Sequence, residues 1–103
     1  MFSIIIPLYN KAETIKKSLD SVLAQTVQDY EVVIVNDGST DNIKPFLTEL
    51  HYPHVRVLTQ QNSGVSIARN AGIINSRYRY ICFLDADDLW LPNHLAVLQQ
   101  MIA

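Results

Sequence analysis

A single cysteine among 103 residues, Cys82, has no partner for an internal disulfide and cannot form a Cys-x-x-Cys pair. A secreted disulfide scaffold and a zinc module are therefore both excluded, and a reducing compartment is the default. A basic excess is missing as well. Eight Lys and Arg stand against ten Asp and Glu, a formal net charge of −2, which argues against a polyanion binder; no local basic patch offers nucleic acid a footing. No run approaches the ~20 apolar residues of a membrane-spanning helix, and the apolar start Met1 to Leu8 has no basic leader and is broken by Pro7. On these grounds a cytoplasmic chain is expected. Low-complexity segments, Gly/Ser linkers and internal repeats are also lacking. What is there is 49% hydrophobic and 17% charged, too apolar for a disordered chain and enough for one core at the small end of domain sizes. Open α/β domains with catalytic loops usually take ~100–200 residues, so residues 1–103 are expected to form one unit that is part of a larger machine.

The informative pattern is alternation. Ser3 to Leu8 is short, β-branched and apolar on both faces, as a strand buried in a parallel sheet should be, with Pro7 near its end. Lys11 to Gln25 reads as a helix whose apolar stripe is Ile15, Leu19, Val22 and Leu23, with Asn10 as N-cap and Glu13 as its capping-box partner. The unit then repeats. Glu31 to Asn36 is a second buried strand, Asp37 to Thr40 a turn, and Asp41 to Leu50 a helix weakened by Pro45. Val55 to Thr59 alternates more and reads as an edge strand, followed by a polar turn to Gly64 and a helix from Val65 to Asn75. Arg79 to Leu84 is a fourth strand, and Pro92 fits the first turn of a last helix with Leu95, Leu98 and Ile102 on one face. Strand and helix in alternation predict an α/β fold, a mostly parallel sheet with right-handed crossovers.

Polar residues gather where these strands end: Tyr9 and Asn10, then Asn36 to Gly38, then Asp85 to Asp88. In open α/β sheets ligands bind at that rim, where strand order reverses; an order 3-2-1-4 would make the Tyr9 and Asp85 groups neighbours, with Asp37 one strand away. Asp85, Asp87 and Asp88 crowd three carboxylates into four residues, an arrangement that asks for a neutralising cation, and a hard divalent ion such as Mg²⁺ or Mn²⁺ takes oxygen ligands of this kind. The same aspartates also fit a plain helix-capping role, and at this point both readings stay open. An EF-hand loop is disfavoured because its sixth position is Trp90, not glycine. Asp37-Gly38-Ser39 by itself is a tight turn, and Arg69 by itself a solvated helix arginine.

Taken together, Ser3-Ile-Ile-Ile-Pro-Leu-Tyr-Asn10, Val35-Asn-Asp-Gly-Ser-Thr-Asp41, Asn62-Ser-Gly64 with Ala68-Arg-Asn-Ala-Gly72, and Leu84-Asp-Ala-Asp-Asp88 with Trp90 and Pro92 resemble the N-terminal half of a family 2 glycosyltransferase of the GT-A fold. Four weak motifs in the right order at the right strand ends make the resemblance specific. It implies a Rossmann-like GT-A sheet of order 3-2-1-4 with helices on both faces, left incomplete by this chain. It also implies a nucleotide-diphosphate sugar donor, a UDP-sugar, and transfer with inversion to a glycan or lipid-linked acceptor, work that belongs at the inner face of a membrane. By resemblance Pro7, Tyr9, Asn10, Asp37, Arg69, Asp85 and Ala86 are donor-binding positions, with Tyr9 beside the base, Asp37 reading uracil or ribose, and Arg69 near the diphosphate. Asp87 and Asp85 match the ends of a DxD motif that holds Mn²⁺ or Mg²⁺, with Asp88 acting through water. The general base and the acceptor site are expected beyond residue 103, in the family's second half.

The remaining candidates have plain readings. His51, His54 and His94 are solvated or capping residues, Cys82 is an inert thiol in an apolar strand, Tyr78 and Tyr80 pack, and Lys16 and Lys17 face solvent. An uncovered sheet edge and apolar face make a homodimer an expectation. Two other function classes compete. One is a nucleotide-binding fragment with no catalysis of its own, separable by turnover. The other is a haloacid-dehalogenase-type phosphohydrolase, which also sets Asp-x-Asp after a buried strand, but that family opens its chain with the motif and puts Thr or Val where Asp88 stands.

Overall fold

The computed structural model describes residues 1–102. Four strands, β1 (Phe2–Leu8), β2 (Tyr30–Asp37), β3 (Val55–Gln60) and β4 (Tyr80–Phe83), alternate with four helices, α1 (Ile15–Leu23), α2 (Lys44–Thr48), α3 (Val65–Ile74) and α4 (His94–Ile102). All strand pairs are parallel and the order is β3-β2-β1-β4, as expected. β1 and β2 are central, which is why they read as unbroken apolar runs: Ile4 to Ile6 and Val32 to Val35 are completely buried. β3 is an edge strand, as its alternation predicts, and β4 is the other edge; its outer side carries no partner strand among the described residues, and Phe83 stands half exposed.

Strand parity divides the core between the two faces. Phe2, Ile4, Ile6, Leu8, Val32 and Ile34 pack with Ile15, Leu19 and Val22 of α1, Phe46 and Leu47 of α2, and Leu95 and Leu98 of α4. Ile5, Val33 and Val35 point the other way, against Ala68 of α3. Each fully buried Ile or Leu side chain contributes about 1.5–3 kcal/mol of transfer free energy, so this double-sided burial is the main cohesive force. Gly72 sets how closely α3 approaches: a Cβ there would lie 2.5 Å from Cγ2 of Ile5.

Three elements differ from the sequence reading. Asn10 is not the N-cap of α1; it takes a left-handed backbone (φ 53°), and the helix starts at Ile15 after a turn in which Thr14 N and Ile15 N both donate to Lys11 O. α2 is only five residues, because the preceding Thr40 and Asp41 are held by Asn10; Pro45 sits in its first turn, where a missing N–H costs nothing. Pro92 lies in the turn before α4 rather than in its first turn, with its carbonyl accepting from Thr26 N at 3.0 Å.

At the opposite end of the sheet from the rim, Glu31 is buried in β2, facing the α3 side. Its Oε2 accepts from Ser3 Oγ and Arg77 N, both at 2.6 Å, and its Oε1 meets Arg56 Nη2 at 3.0 Å. Ser3 Oγ in turn accepts from Tyr78 N at 3.1 Å, so one carboxylate ties β1, β3 and the α3–β4 connection together. Burial alone pushes the Glu31 carboxyl up, but the Ser3, Arg77 and Arg56 hydrogen bonds hold it below its ordinary value of 4.5. A carboxyl lowered by folding contributes stability that is full above its unfolded value and is lost as pH falls through its folded value. Glu31→Gln is therefore expected to cost about 1–3 kcal/mol at neutral pH, with the gap to wild type closing as pH falls below 4.5. Urea unfolding across that range checks this, and a gap independent of pH contradicts it.

Candidate functional site

The carboxyl ends of β1, β2 and β4 open into one cavity of about 560 Å³. Pro7, Tyr9 and Lys11 line it from the β1 side, Asp37 from β2, Arg69 from α3, and Asp85, Ala86 and Asp87 from the loop after β4. Of the positions that resemblance singled out, Pro7, Tyr9, Asp37, Arg69, Asp85, Ala86 and Asp87 line this cavity, while Asn10 and Asp88 do not. Asn10 lies beside the cavity and not on its wall; its Oδ1 accepts from Thr40 N at 2.8 Å and Asp41 N at 3.2 Å, while Asp41 Oδ2 accepts from Ala12 N at 2.9 Å. Asn10 therefore laces the loop after β1 to the loop after β2, and its left-handed backbone is what turns the side chain that way.

Asp37 is almost fully buried. Its Oδ1 accepts from Gln60 Nε2 at 2.9 Å and Ser63 N at 2.8 Å, and its Oδ2 from Gly64 N at 3.0 Å. Burial raises the carboxyl's pKa, and these donors more than reverse it, leaving it below the ordinary 3.8. The carboxylate therefore fixes the segment leading into α3, in which Gly64 (φ 98°) adopts a backbone that other residues resist. Sequence reading gave Asp37 a ligand-facing role and missed this anchoring one. Tyr9, 45% exposed, lends the cavity an open aromatic wall.

The acidic loop is exposed at its carboxylates and fastened at its backbone. Oxygens of Asp85, Asp87 and Asp88 all lie within 4.8 Å of one another. Between them Ala86 is buried, and its carbonyl accepts from Thr14 Oγ1 at 2.8 Å. That bond explains why Thr14, at the N-cap of α1, makes no capping bond: its hydroxyl is directed to the loop instead. Further along, Ser21 Oγ of α1 accepts from Trp90 N at 3.1 Å, and Gln25, just past the helix, both donates to Leu91 O at 2.6 Å and accepts from Leu95 N at 3.0 Å. α1 and the residues that flank it thus hold the segment from Ala86 to Leu95 at several points.

Two cations face the carboxylates. Lys11 Nζ is 3.3 Å from Asp87 Oδ2, and Arg69 Nη2 is 3.3 Å from Asp85 Oδ1, with the guanidinium 5.7 Å from the Phe83 ring centroid. Arg69 Nε is buried without a partner. Asp88 borders a separate depression with Trp90. The other candidates stay outside the cavity. His94 stacks on Trp90 at 4.2 Å, His54 packs on Tyr30 at 5.1 Å, and Tyr80 packs on Phe2 at 6.3 Å. Burial pushes the Cys82 thiol up, consistent with an unreactive residue, and Lys16 pairs on the surface with Asp20. Lys11 is the site residue that sequence reading missed; its position next to Asn10 at a strand end was the available signal.

A parallel α/β sheet of this order with a cavity at its switch point is a Rossmann-like arrangement, in which ligands bind at the carboxyl ends of the strands. Residues 3–103 match the family model for glycosyl transferase family 2, and the chain belongs to that family. It is 44% identical over 102 residues to the glycosyltransferase YibD of Escherichia coli K12, spanning 96% of this chain and 29% of that protein. It is 43% identical over 95 residues to chondroitin synthase of Pasteurella multocida, covering 90% of this chain and 10% of the synthase. Among solved structures, Staphylococcus aureus TarS 1–349 in complex with UDP-GlcNAc superposes with a TM-score of 0.90 at 28% identity, over 98% of this chain and 30% of TarS. The mannosyltransferase PcManGT of Pyrobaculum calidifontis, with GDP-Man and Mn²⁺, gives 0.89 at 26% identity, over 99% and 32%. The chain spans less than a third of the length of each of these proteins.

If α1 holds the acidic loop through Thr14, the near-isosteric Thr14→Val should leave the Ala86 carbonyl buried without a partner, a cost of about 1–3 kcal/mol. Hydrogen exchange of the Asp85 to Asp88 amides is expected to quicken relative to that of β1 and β2, with Thr14→Ser restoring protection. Equal acceleration throughout the sheet would count against a local role.

Proposed function

We propose that this chain carries the donor and metal site of an inverting, metal-dependent glycosyltransferase that takes a UDP-sugar and passes the sugar to a hydroxyl of a glycan or lipid-linked acceptor. The observation that carries the reading is the single cavity in which Tyr9, Asp37, Arg69, Asp85 and Asp87 meet at the switch point of the sheet. The solved neighbours support it, since one is described with UDP-GlcNAc and another with GDP-Man and Mn²⁺.

The donor set fits a hard divalent ion: three exposed carboxylates with oxygens within 4.8 Å, on a loop whose backbone is fixed from behind by Thr14. Asp87 is the direct ligand in this reading, Asp85 shares the ion or holds the ribose, and Asp88 acts through water. When bound, Mn²⁺ or Mg²⁺ supplies charge neutralisation to the departing nucleotide diphosphate as a Lewis acid. The chain's own residues do the rest of the binding. Tyr9 offers an aromatic wall to the base, and Asp37 with the segment it anchors closes the base and ribose end. Arg69 brings its guanidinium from α3 to the diphosphate. In the reaction the acceptor oxygen attacks the anomeric carbon as the bond to the diphosphate breaks. The base that takes the hydroxyl proton is assigned to the part of the relatives that this chain does not span.

No helix among the described residues is long and apolar enough to cross a membrane. A second reading, donor binding without catalysis by these 103 residues, is favoured by the short span relative to TarS and YibD. Sugar transfer or donor hydrolysis by the purified chain would exclude it.

UDP with Mn²⁺ is expected to raise the unfolding midpoint, while UDP alone does so much less. At ligand near 100 times Kd the gain is about 2.7 kcal/mol, a shift of about 10–20 °C for a domain of this size. Asp87→Asn or Asp37→Ala is expected to remove most of the effect. A midpoint unmoved by millimolar UDP and Mn²⁺ in the wild-type chain contradicts the site assignment.

A further inference from the structure

Lys11 enters the cavity from the loop after β1, while Arg69 enters from α3. Each meets one end of Asp85-Ala86-Asp87, Lys11 at Asp87 and Arg69 at Asp85, both at 3.3 Å. The loop's two cavity-lining carboxylates are therefore matched one to one by cations from separate elements. The two pairs are not equivalent. Arg69 also lies over the Phe83 ring, which restrains its guanidinium. Asp87 is the only acidic partner of the Lys11 ammonium among the described residues, and both side chains of that pair are 46% exposed. Exposed pairs of this kind are weak and easily exchanged.

An ammonium and a divalent ion cannot occupy the same carboxylate oxygen. Building on the donor-site reading above, we propose that Lys11 is an exchangeable counter-ion, neutralising Asp87 in the ligand-free chain and passing to the donor's diphosphate once a divalent cation takes Asp87. The stem and single compact charge of lysine suit that exchange, because the ammonium keeps its hydrogen bonds by swapping one anionic oxygen for another. Lys11 and Asp87 both line the cavity in which the donor-site reading puts the diphosphate. No bond is made or broken in the step. Its consequence is a coupling of opposite sign: Lys11 opposes the cation when it arrives alone and favours the nucleotide once the cation is in place.

Lys11→Met keeps most of the stem and removes the charge, and Lys16→Met makes the same change of net charge on the outer face of α1. Mn²⁺ binding without nucleotide can be followed by the electron paramagnetic resonance of the free ion, and UDP binding in saturating Mn²⁺ by calorimetry. Lys11→Met is expected to bind Mn²⁺ about two- to fivefold more tightly than wild type and UDP at least tenfold more weakly, on the order expected for a lost charge-assisted hydrogen bond. Lys16→Met should change neither, and Lys11→Arg should stay near wild type in both. A Lys11→Met chain with the wild-type midpoint whose two affinities are unchanged, or move in the same direction, overturns the proposal; Lys11→Gln, which also removes the charge, decides the matter by the same signs if the methionine variant does not fold. A wild-type chain that binds neither Mn²⁺ nor UDP brings down the donor-site reading itself. Wild-type binding with no effect at Lys11 removes only the counter-ion.

Discussion

A strand that is packed on both faces and paired along both edges can meet a ligand only at its ends, and in this chain that strand is β1. Ile4, Ile5 and Ile6 are wholly buried, between α1 on one side and α3 on the other, with β2 and β4 along the edges. Parallel register then brings the ends together: Leu8 lies beside Asn36, so β1 and β2 finish within a residue of each other and their following loops start from the same rim. Parity does the remaining work. Ile5 in β1 and Val33 and Val35 in β2 face α3, and Asp37 follows that alternation onto the same side as Gly64 and Arg69. A one-residue slip would move Asp37 to the face of α1 and α4 and leave its donors without an acceptor.

The strands, the helices and the polar rim were legible because they follow from local pattern: β-branched runs, a helical apolar stripe and polar residues at strand ends; the strand order came from the family resemblance. What escaped reading were bonds between distant segments. Thr14 and Ala86 are 72 residues apart, and nothing near Thr14 signals that its hydroxyl will donate across the fold rather than cap its own helix. Asn10 followed by Glu13 is a sound capping pattern, yet the backbone of Thr40 and Asp41 competes for the same side chain and wins. Glu31 looked like one polar residue in a buried strand, and only the fold supplies Ser3, Arg56 and the Arg77 amide around it. Of the cavity wall, Lys11 alone among the charged residues was passed over, since a lysine after a strand is ordinarily a solvated one.

Two kinds of carboxylate coexist on the rim, and their difference is physical. Asp37 is buried and satisfied by N–H groups of Gln60, Ser63 and Gly64, a neutralisation that cannot leave because two of the three are backbone. Asp85 and Asp87 are exposed and neutralised by the ends of long side chains, which can leave. The first arrangement suits a wall of fixed shape, the second a place where charge is exchanged. Set side by side in one cavity, they match a ligand with a neutral, shape-defined end and a strongly anionic end, as a nucleoside diphosphate has. The relatives are more than three times as long, and the proposed function leaves the acceptor half of the chemistry to that additional length.

The central claim is that cation and nucleotide meet in this cavity and nowhere else on the chain. Amide NMR of the isotopically labelled protein tests it directly, with a substoichiometric addition of paramagnetic Mn²⁺ followed by UDP. The predicted result is broadening centred on Asp85 to Asp88 and reaching Tyr9 to Lys11, with UDP then shifting Asp37, Ser63, Gly64 and Arg69. Broadening spread over surface carboxylates such as Asp20, Asp29 and Glu49, with no focus at the loop after β4, would contradict it.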